Sequence, residues 1–77
     1  MFKVYILQSI KNDRYYLGHT NNLDRRLAEH NNGFSSSTKA GIPWKIIWTE
    51  NCYTRSDAMK LENKIKGRGT KRFLNEE

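Results

Sequence analysis

The sequence predicts an α+β fold in which helices cover a small antiparallel or mixed sheet. Two stretches near the N-terminus are rich in aromatic and β-branched residues and alternate like strands, and a third follows the chain's one proline. Amphipathic stretches with Asn or Thr at their starts lie between and after these strands. The resulting order is β-β-α-β-α-α, and the sheet can bury its apolar face only against the helices.

The first two strands are expected to form a hairpin. Residues 2–8 and 15–19 carry the strand pattern, and the turn-forming sequence Lys11-Asn12-Asp13-Arg14 joins them. Successive side chains of a strand alternate between its two faces. A connection with an even number of residues would therefore place Tyr5 and Tyr16 on the same face.

The middle of the chain predicts a helix, a loop and a third strand. The two asparagines before residue 23 are good N-cap residues for a helix over 23–31, and the Asn-Gly pair that follows would end this helix. A polar loop over 32–41 then precedes Pro43, which favours an extended backbone before it. A strand is expected over 44–51.

The C-terminal part of the chain predicts two helices. Thr54 begins a sequence that resembles a capping box, with Asp where Glu or Gln is usual. A helix is expected over 58–66, with Gly67 and Gly69 ending it, and a short last helix over 70–75.

Length and charge limit what such a fold can do. A chain of 77 residues is expected to form one domain, residues 1–77, with a small core. It has 14 Lys and Arg residues against 8 Asp and Glu, a net charge of +6, which makes nucleic acid the first candidate partner. Charge alone also leaves open a basic protein without such a partner.

The single cysteine excludes an intrachain disulfide and a Cys-rich zinc site. We expect Cys52 to be a small apolar residue at a strand end rather than a nucleophile. The chain has no apolar run long enough to span a membrane and no signal peptide, so a cytoplasmic protein is expected.

Helical periodicity places two basic side chains beside the apolar stripe of the first helix. At about 100° per residue, this stripe runs through Leu23 and Leu27. Arg26 and His30 fall beside the stripe, one turn apart, whereas Arg25 faces water. Arg26 is therefore expected at the edge of the core.

Glu62 occupies a comparable position in the helix over 58–66. Its side chain falls on the inner face with Leu61 and Ile65, opposite to the lysines of the same helix. A carboxylate on an inner face is costly unless it is paired or bound to a metal. A structural ion pair with Arg26 and a catalytic role both remain open.

Two phenols, a guanidinium, an imidazole and a carboxylate are therefore expected on inner faces or at their edges. A planar guanidinium suits a phosphate, and a single carboxylate suits Mg²⁺, which keeps water ligands and binds substrate phosphate. A phenol can act as a general base if a cation lowers its pKa, and the imidazole can share that role or bind the phosphate. Tyrosines that only fill a strand core are the alternative. The set suggests phosphodiester hydrolysis by Tyr5, Tyr16, Arg26, His30 and Glu62.

The same residues resemble the GIY-YIG endonuclease family. Lys3-Val4-Tyr5 stands in the place of the Gly-Ile-Tyr block, and Tyr16-Leu17-Gly18 is similar to the Tyr-Ile-Gly block. Arg26, His30 and Glu62 follow in the order and at the spacing of the family's arginine, histidine and metal-binding glutamate. The resemblance covers essentially the whole chain and looks closest to the small, single-domain, excinuclease-like bacterial members.

The resemblance implies a GIY-YIG fold, with a three-stranded antiparallel sheet flanked by three helices. It also implies a DNA endonuclease that depends on Mg²⁺ or Mn²⁺ and takes part in DNA repair or recombination. Tyr5 would be the general base, supported by Tyr16 and His30. Arg26 would hold phosphate, and Glu62 would hold the metal.

Two features depart from the family pattern. Lys3 and Val4 replace the Gly and Ile of the first block, although the chemistry requires only the tyrosine. Relatives often have a late asparagine in the site, for which Asn75 is the candidate in this chain.

A basic segment near the C-terminus is expected to contact DNA. Such phosphate contacts would position the duplex without reading its sequence, and a solvated helix face is the alternative. Without an appended recognition domain, specificity would come from DNA structure or from a protein partner, unless cleavage is unspecific. The expected contacts are Lys60, Lys64, Lys66, Arg68, Lys71 and Arg72, together with Lys39 of the polar loop.

Two other functions remain open at this point. A non-catalytic nucleic-acid-binding module would bind DNA or RNA in a salt-dependent way without metal. A protein-interaction domain would instead use exposed aromatic residues, such as Phe34 or Trp48, to bind a partner.

Overall fold

The computed structural model describes residues 1–76 and contains the three strands and three α-helices that the sequence predicts. A short 3₁₀ turn at Lys39–Gly41 precedes the third strand. None of the helices in this part of the chain has the length and apolarity needed to cross a membrane. The strands are β1 (Phe2–Ser9), β2 (Tyr15–Thr20) and β3 (Trp44–Cys52), and the helices are α1 (Leu23–Asn31), α2 (Arg55–Arg68) and α3 (Thr70–Glu76).

β1 is the central strand of the sheet. The strand order is β2-β1-β3, and β1 is antiparallel to both neighbours. The side chains of residues 4–7 are at most 1% exposed, because other elements cover both faces of this strand. The predicted α+β fold is confirmed, and the sheet is antiparallel rather than mixed.

The hairpin register places the two tyrosines of the predicted site on one face. Tyr5 pairs with Gly18 and Leu7 pairs with Tyr16, and an even number of residues separates the last paired residues of the two strands. Residues directly opposite each other in an antiparallel pair lie on the same face. Tyr5 and Tyr16 therefore share a face, as the even connection predicts.

The two faces of the sheet carry separate apolar clusters. On one face, the even-numbered side chains of β1 pack against Ala58 and Ile65 of α2, with α3 alongside. On the other face, Tyr5 and Leu7 pack with Trp44 and the leucines of α1. Burial of a large apolar side chain stabilises a fold by about 1.5–3 kcal/mol, so these contacts hold the helices against the sheet. We call these two sides the α2 face and the α1 face.

Side-chain caps explain where two of the helices begin. The Asn22 side chain accepts the Arg25 N–H at 3.1 Å at the start of α1, and the Thr54 hydroxyl accepts the Asp57 N–H at 3.0 Å at the start of α2. α1 has the predicted bounds. α2 begins at Arg55, one turn earlier than predicted, because the Thr54 cap already organises the first turn.

The end of α2 differs from the prediction in one glycine. Gly67 lies inside α2, where glycine costs about 1 kcal/mol relative to alanine without breaking the helix. Gly69 ends the helix with a φ of +93°, which is outside the helical region. The prediction that Gly67 stops the helix is therefore wrong, and the prediction for Gly69 is confirmed.

The structure also locates three residues named by the other hypotheses. Cys52 is the last residue of β3 and is half-buried on the α2 face, as predicted. Phe34 is 78% exposed, whereas the Trp48 ring packs edge-on against Phe73 with 5.0 Å between centroids. The prediction of Trp48 as an exposed docking residue is wrong, because α3 covers it.

Candidate active site

The Tyr5 phenol passes over β2 at Gly18, the strand residue without a side chain. A Cβ atom added to Gly18 would lie 2.7 Å from the Tyr5 hydroxyl oxygen and 3.2 Å from a ring carbon of Tyr16. Any other residue at this position would displace the phenol. Glycine therefore lets the Tyr5 hydroxyl lie over β2, which is an edge strand of the sheet.

His30 connects the Tyr5 hydroxyl to the loop that follows α1. The Tyr5 hydroxyl oxygen lies 3.1 Å from His30 Nε2, and His30 Nδ1 lies 2.8 Å from the Thr38 hydroxyl oxygen. The Tyr16 ring packs against the imidazole, with 4.7 Å between centroids. Tyr5, His30 and Thr38 are at most 1% exposed, so this chain of hydrogen bonds is shielded from bulk water.

The bonds of Thr38 assign the proton on the imidazole. The Thr38 hydroxyl donates to the Ser35 carbonyl at 3.3 Å, so it accepts the bond from His30 Nδ1–H. The Nε2 atom of His30 is then unprotonated and accepts the Tyr5 hydroxyl proton. The Trp44 indole N–H holds the loop in place by donating to the Thr38 carbonyl at 2.8 Å.

Burial shifts the pKa values of the phenol and the imidazole in opposite directions. It raises the pKa of Tyr5 to about 12, an effect that the neighbouring Arg26 only partly opposes. Burial also lowers the pKa of His30 below its usual 6.5, and the charge of Arg26 lowers it further. At neutral pH the pair is a phenol and a neutral imidazole. Both imidazole nitrogens already have hydrogen-bond partners, Tyr5 and Thr38, so the alternative in which His30 binds the phosphate directly does not fit this arrangement.

Arg26 lies at the edge of the core, beside both tyrosines. Its Nη1 atom donates to Glu29 Oε1 at 3.0 Å, and this bond is the main reason why the pKa of Arg26 is raised, with further support from Tyr5 and Tyr16. The Arg26 side chain is 33% exposed, so a ligand can reach it. Arg26 pairs with a residue of its own helix, and the alternative of an Arg26–Glu62 ion pair is wrong.

Glu62 approaches the same edge strand from the α2 face. Its Oε1 atom lies 2.7 Å from Nδ1 of His19, the residue that follows Gly18 in β2. Strand alternation turns His19 to the α2 face while Gly18 lies under the Tyr5 phenol. The charge of Glu62 nevertheless adds a small contribution to the raised pKa of Tyr5, as expected for groups that lie near each other across the strand.

The donors around Glu62 suit a hard cation that keeps water ligands. Across residues 1–76, no group of three or more His, Cys, Asp or Glu side chains is placed to hold a metal ion. A protein-ligated zinc site normally needs at least three such ligands. Mg²⁺ instead binds through one or two carboxylates together with phosphate and water. The Glu62 carboxylate, oriented by His19, fits the second kind of site.

A polar cleft of about 320 Å³ adjoins these groups. Arg26 and His19 both line the cleft, so it opens onto groups from the two faces of the sheet. Three guanidinium groups and one carboxylate line it, which suits an anionic ligand. The other lining residues are Phe2, Thr20, Asn21, Asn22, Arg25, Glu29 and Arg55.

The basic residues predicted to contact DNA lie elsewhere on the described surface. Lys60 and Lys64 are exposed on the outer side of α2, and Arg68 is paired with Glu76. Asn75, the candidate for the late asparagine, is exposed on α3 and lines a separate depression. The predicted contacts are all exposed and none lines the cleft: Lys39, Lys60, Lys64, Lys66, Arg68, Lys71 and Arg72.

Comparison with known proteins identifies the family. Residues 1–75 match the GIY-YIG catalytic domain. The chain belongs to the GIY-YIG family. It is 33% identical over 76 residues to a UPF0213 protein of Bacillus licheniformis, and the alignment covers 94% of this chain and 77% of the relative. It is 35% identical over 64 residues to a UPF0213 protein of Streptococcus pneumoniae, and that alignment covers 82% of this chain but only 64% of the relative.

The solved structure of a UPF0213 protein has a similar architecture. The solution NMR structure of a UPF0213 protein from Bacillus halodurans superposes with a TM-score of 0.57 at 27% identity, covering 97% of this chain and 81% of that chain. This similarity supports the α+β fold with three antiparallel strands and three helices.

Sequence reasoning missed three residues of this GIY-YIG site. His19 directly follows the Tyr-Leu-Gly block, and strand alternation could have placed it on the face of Glu62. Glu29 lies one turn from Arg26, a spacing that often gives an ion pair. Thr38 lies in a polar loop without periodicity, and no sequence signal connects it to His30.

Proposed function

We propose that this GIY-YIG protein is a metal-dependent endonuclease that hydrolyses phosphodiester bonds in DNA. The observation that carries the proposal is the buried Tyr5–His30 hydrogen bond next to an arginine-lined cleft. Hydrolysis needs a proton acceptor for water, positive charge for the phosphate and stabilisation of the leaving oxygen. The groups around the cleft can supply each of these.

Tyr5 and His30 would move the proton of the attacking water along an existing hydrogen bond. The Tyr5 oxygen accepts the water proton while its own proton passes to His30 Nε2. The phenol therefore does not need to be ionised beforehand, which matters because a phenol with a pKa of about 12 is protonated at neutral pH. Thr38 keeps accepting from Nδ1–H and so leaves Nε2 free for the incoming proton.

Arg26 would bind the phosphate and stabilise the charge that develops on it. Its planar guanidinium matches two phosphate oxygens at once. Glu62, oriented by His19, would hold Mg²⁺ or Mn²⁺ together with water and phosphate oxygens. When bound, such a cation polarises the scissile phosphate and stabilises the leaving oxygen.

A cleavage assay that compares the wild type with Glu62→Gln tests the proposal. Labelled linear, flapped and branched DNA molecules are incubated with the protein and Mg²⁺, Mn²⁺ or EDTA. We expect metal-dependent cleavage that falls by about 10²-fold or more in Glu62→Gln, a loss of at least about 2.7 kcal/mol of transition-state stabilisation. Preferential cleavage of the flapped or branched DNA would support a role in DNA repair or recombination.

Glu50→Gln is the matched control, because Glu50 is an exposed glutamate on β3, whereas Glu62 contacts the cleft residue His19. This variant should cleave like the wild type. Equal activity of the two variants would argue against Glu62 as a functional residue. Salt-dependent binding without cleavage of any of these substrates would instead support the non-catalytic module.

A further inference from the structure

The cleft extends from the proposed catalytic groups to the end of the sheet where three elements meet. β1 begins at Phe2, β2 ends at Thr20 and α2 begins at Arg55, and all three residues line the cleft. This meeting point brings guanidinium groups from α1 and α2 to one opening, although the two helices cover opposite faces of the sheet.

Charge in the cleft is predominantly positive. Arg25, Arg26 and Arg55 line it, against Glu29 as the one lining carboxylate. Glu29 is shared between two of the arginines, with its Oε1 atom 3.0 Å from Arg26 Nη1 and its Oε2 atom 3.5 Å from Arg25 Nε. The lining groups therefore carry an excess of positive charge that a polyanion can neutralise.

Like Arg25, Arg55 lines the cleft but has no role in the proposed chemistry. Its guanidinium carbon lies 4.9 Å from the centre of the Phe2 ring, and it forms no ion pair with any residue of the described chain. A ring stacked on the face of a guanidinium leaves the N–H donors at its edge available. The guanidinium of Arg55 therefore lies against the Phe2 ring, and no carboxylate of the described residues neutralises its charge.

We infer that Arg55, together with Arg25, forms a second phosphate-binding site in the cleft, which holds the DNA backbone beside the phosphate bound by Arg26. This inference rests on the proposed function, since it takes Arg26 as the residue that holds the scissile phosphate. A strand lying along the cleft would meet the two sites in succession. Guanidinium–phosphate contacts of this kind position a strand without reading its bases.

A comparison of the DNA affinities of the wild type and Arg55→Gln tests the second site. Fluorescence anisotropy of a labelled forked DNA, measured in EDTA over a series of salt concentrations, reports binding without cleavage. We expect Arg55→Gln to weaken binding about 3- to 10-fold and to reduce the slope of log K against log salt by about 1. Arg55→Lys restores the charge and should recover most of the slope.

Arg14→Gln is the matched control. Arg14 is exposed in the hairpin turn, at the opposite end of the sheet from the cleft, and its replacement makes the same change in net charge. It should bind DNA like the wild type. Equal binding by Arg14→Gln and Arg55→Gln would overturn the second site, because only the total charge would then matter. Circular dichroism of Arg55→Gln should show the helix content of the wild type, as expected if α2 is still formed.

The two proposals fail in different ways. Weakened binding in Arg55→Gln with no cleavage by the wild type would reject the nuclease and keep the site as a phosphate-binding one. Metal-dependent cleavage by the wild type, with Arg55→Gln binding DNA as Arg14→Gln does, would reject the second site and keep the nuclease.

Discussion

Three buried residues determine how a proton can move in the candidate site. Tyr5 donates to His30 and His30 donates to Thr38, so the direction of each hydrogen bond follows from the next one. The acceptor at the centre is an imidazole whose pKa is lowered by burial, next to a phenol whose pKa is raised to about 12. The proposed chemistry therefore depends on the pair and not on either group alone.

Tyr5→Phe separates the chemistry of the hydroxyl from the packing of the ring. We expect single-turnover cleavage to fall by about 10²–10³-fold, because the proton path to His30 is lost. Tyr16→Phe is the matched control and should lose less, since Tyr16 contacts His30 through its ring. A larger loss in Tyr16→Phe than in Tyr5→Phe would contradict the assignment of Tyr5.

Thr38→Val tests whether Thr38 positions His30 by fixing its protonated nitrogen. The valine leaves the buried Nδ1–H without an acceptor, which should lower the free energy of unfolding by about 1–3 kcal/mol. It should also change the imidazole ¹⁵N resonances of His30, which report which nitrogen carries the proton. Thr38→Ser retains a hydroxyl and should restore both the resonances and the activity. Unchanged His30 resonances in Thr38→Val would contradict this role.

At the residue scale, helical periodicity predicted the direction of a side chain more reliably than its ion-pair partner. Helical spacing placed Arg26 at the core edge, and the structure confirms this position. The same spacing could not decide between Glu29 and Glu62 as the partner of Arg26. That choice depends on the distance between helices on opposite faces of the sheet, which no local pattern contains.

At the scale of elements, β2 is the strand that organises the site. It is an edge strand, and alternation along it puts Gly18 under the Tyr5 phenol and His19 against Glu62 on the other face. One edge strand thus holds groups of both faces close to the same cleft. Glycine is required at this position of the Tyr-Leu-Gly block because a Cβ atom would collide with the Tyr5 phenol.

Gly18→Ala tests this steric role without removing any reactive group. The added methyl would meet the Tyr5 hydroxyl oxygen at 2.7 Å, so we expect the phenol to shift and cleavage to fall about as much as in Tyr5→Phe. Gly67→Ala is the control, because a Cβ at Gly67 meets nothing within 4 Å. It should keep full activity and raise stability by up to about 1 kcal/mol, as expected for alanine in a helix. Full activity in Gly18→Ala would contradict the account of β2.

Element types followed from sequence more reliably than their ends. Strong caps such as Asn22 fixed the start of α1 as predicted. The observed start and end of α2 differ from the predicted ones. The Thr54 cap starts the helix one turn earlier, with polar residues in its first turn, and Gly67 alone does not end a helix that packs on a sheet. Local patterns describe propensity, whereas the observed ends of α2 follow from the Thr54 cap and from the positive φ of Gly69.

At the scale of the whole molecule, burial of the site should couple stability to pH. His30 has a pKa below 6.5 in the folded chain, with Arg26 and Glu29 as its charged neighbours, so the unfolded chain binds more protons as the pH falls below about 6.5. Stability is therefore full above that pH and declines below it. Urea unfolding at several pH values should show this decline in the wild type and a smaller one in His30→Gln.

The pH range of this effect distinguishes it from the other titrations. Glu29 and Glu76 have pKa values lowered from 4.5, so their contribution is lost only at more acidic pH. On the alkaline side, the raised pKa of Tyr5 should make stability fall as the pH rises from 10 to about 12. Stability of the wild type that is independent of pH between 6.5 and 4.5 would contradict the buried neutral imidazole.

The cleft itself is a property of the whole molecule. It forms where the start of β1, the end of β2 and the start of α2 meet, with α1 closing the other side. Sequence patterns could predict each element but not this junction, and so they did not identify Arg25 and Arg55 as residues of one cleft.

Paramagnetic broadening by Mn²⁺ in ¹H–¹⁵N spectra tests most directly whether groups from both faces form one metal-binding site. We expect low concentrations of Mn²⁺ to broaden the resonances of Glu62 and His19 first, followed by those of Gly18 and Tyr5. Glu62→Gln should abolish this pattern, whereas Glu50→Gln should leave it intact. Broadening centred on Glu76 and α3, or an identical pattern in Glu62→Gln, would contradict the account.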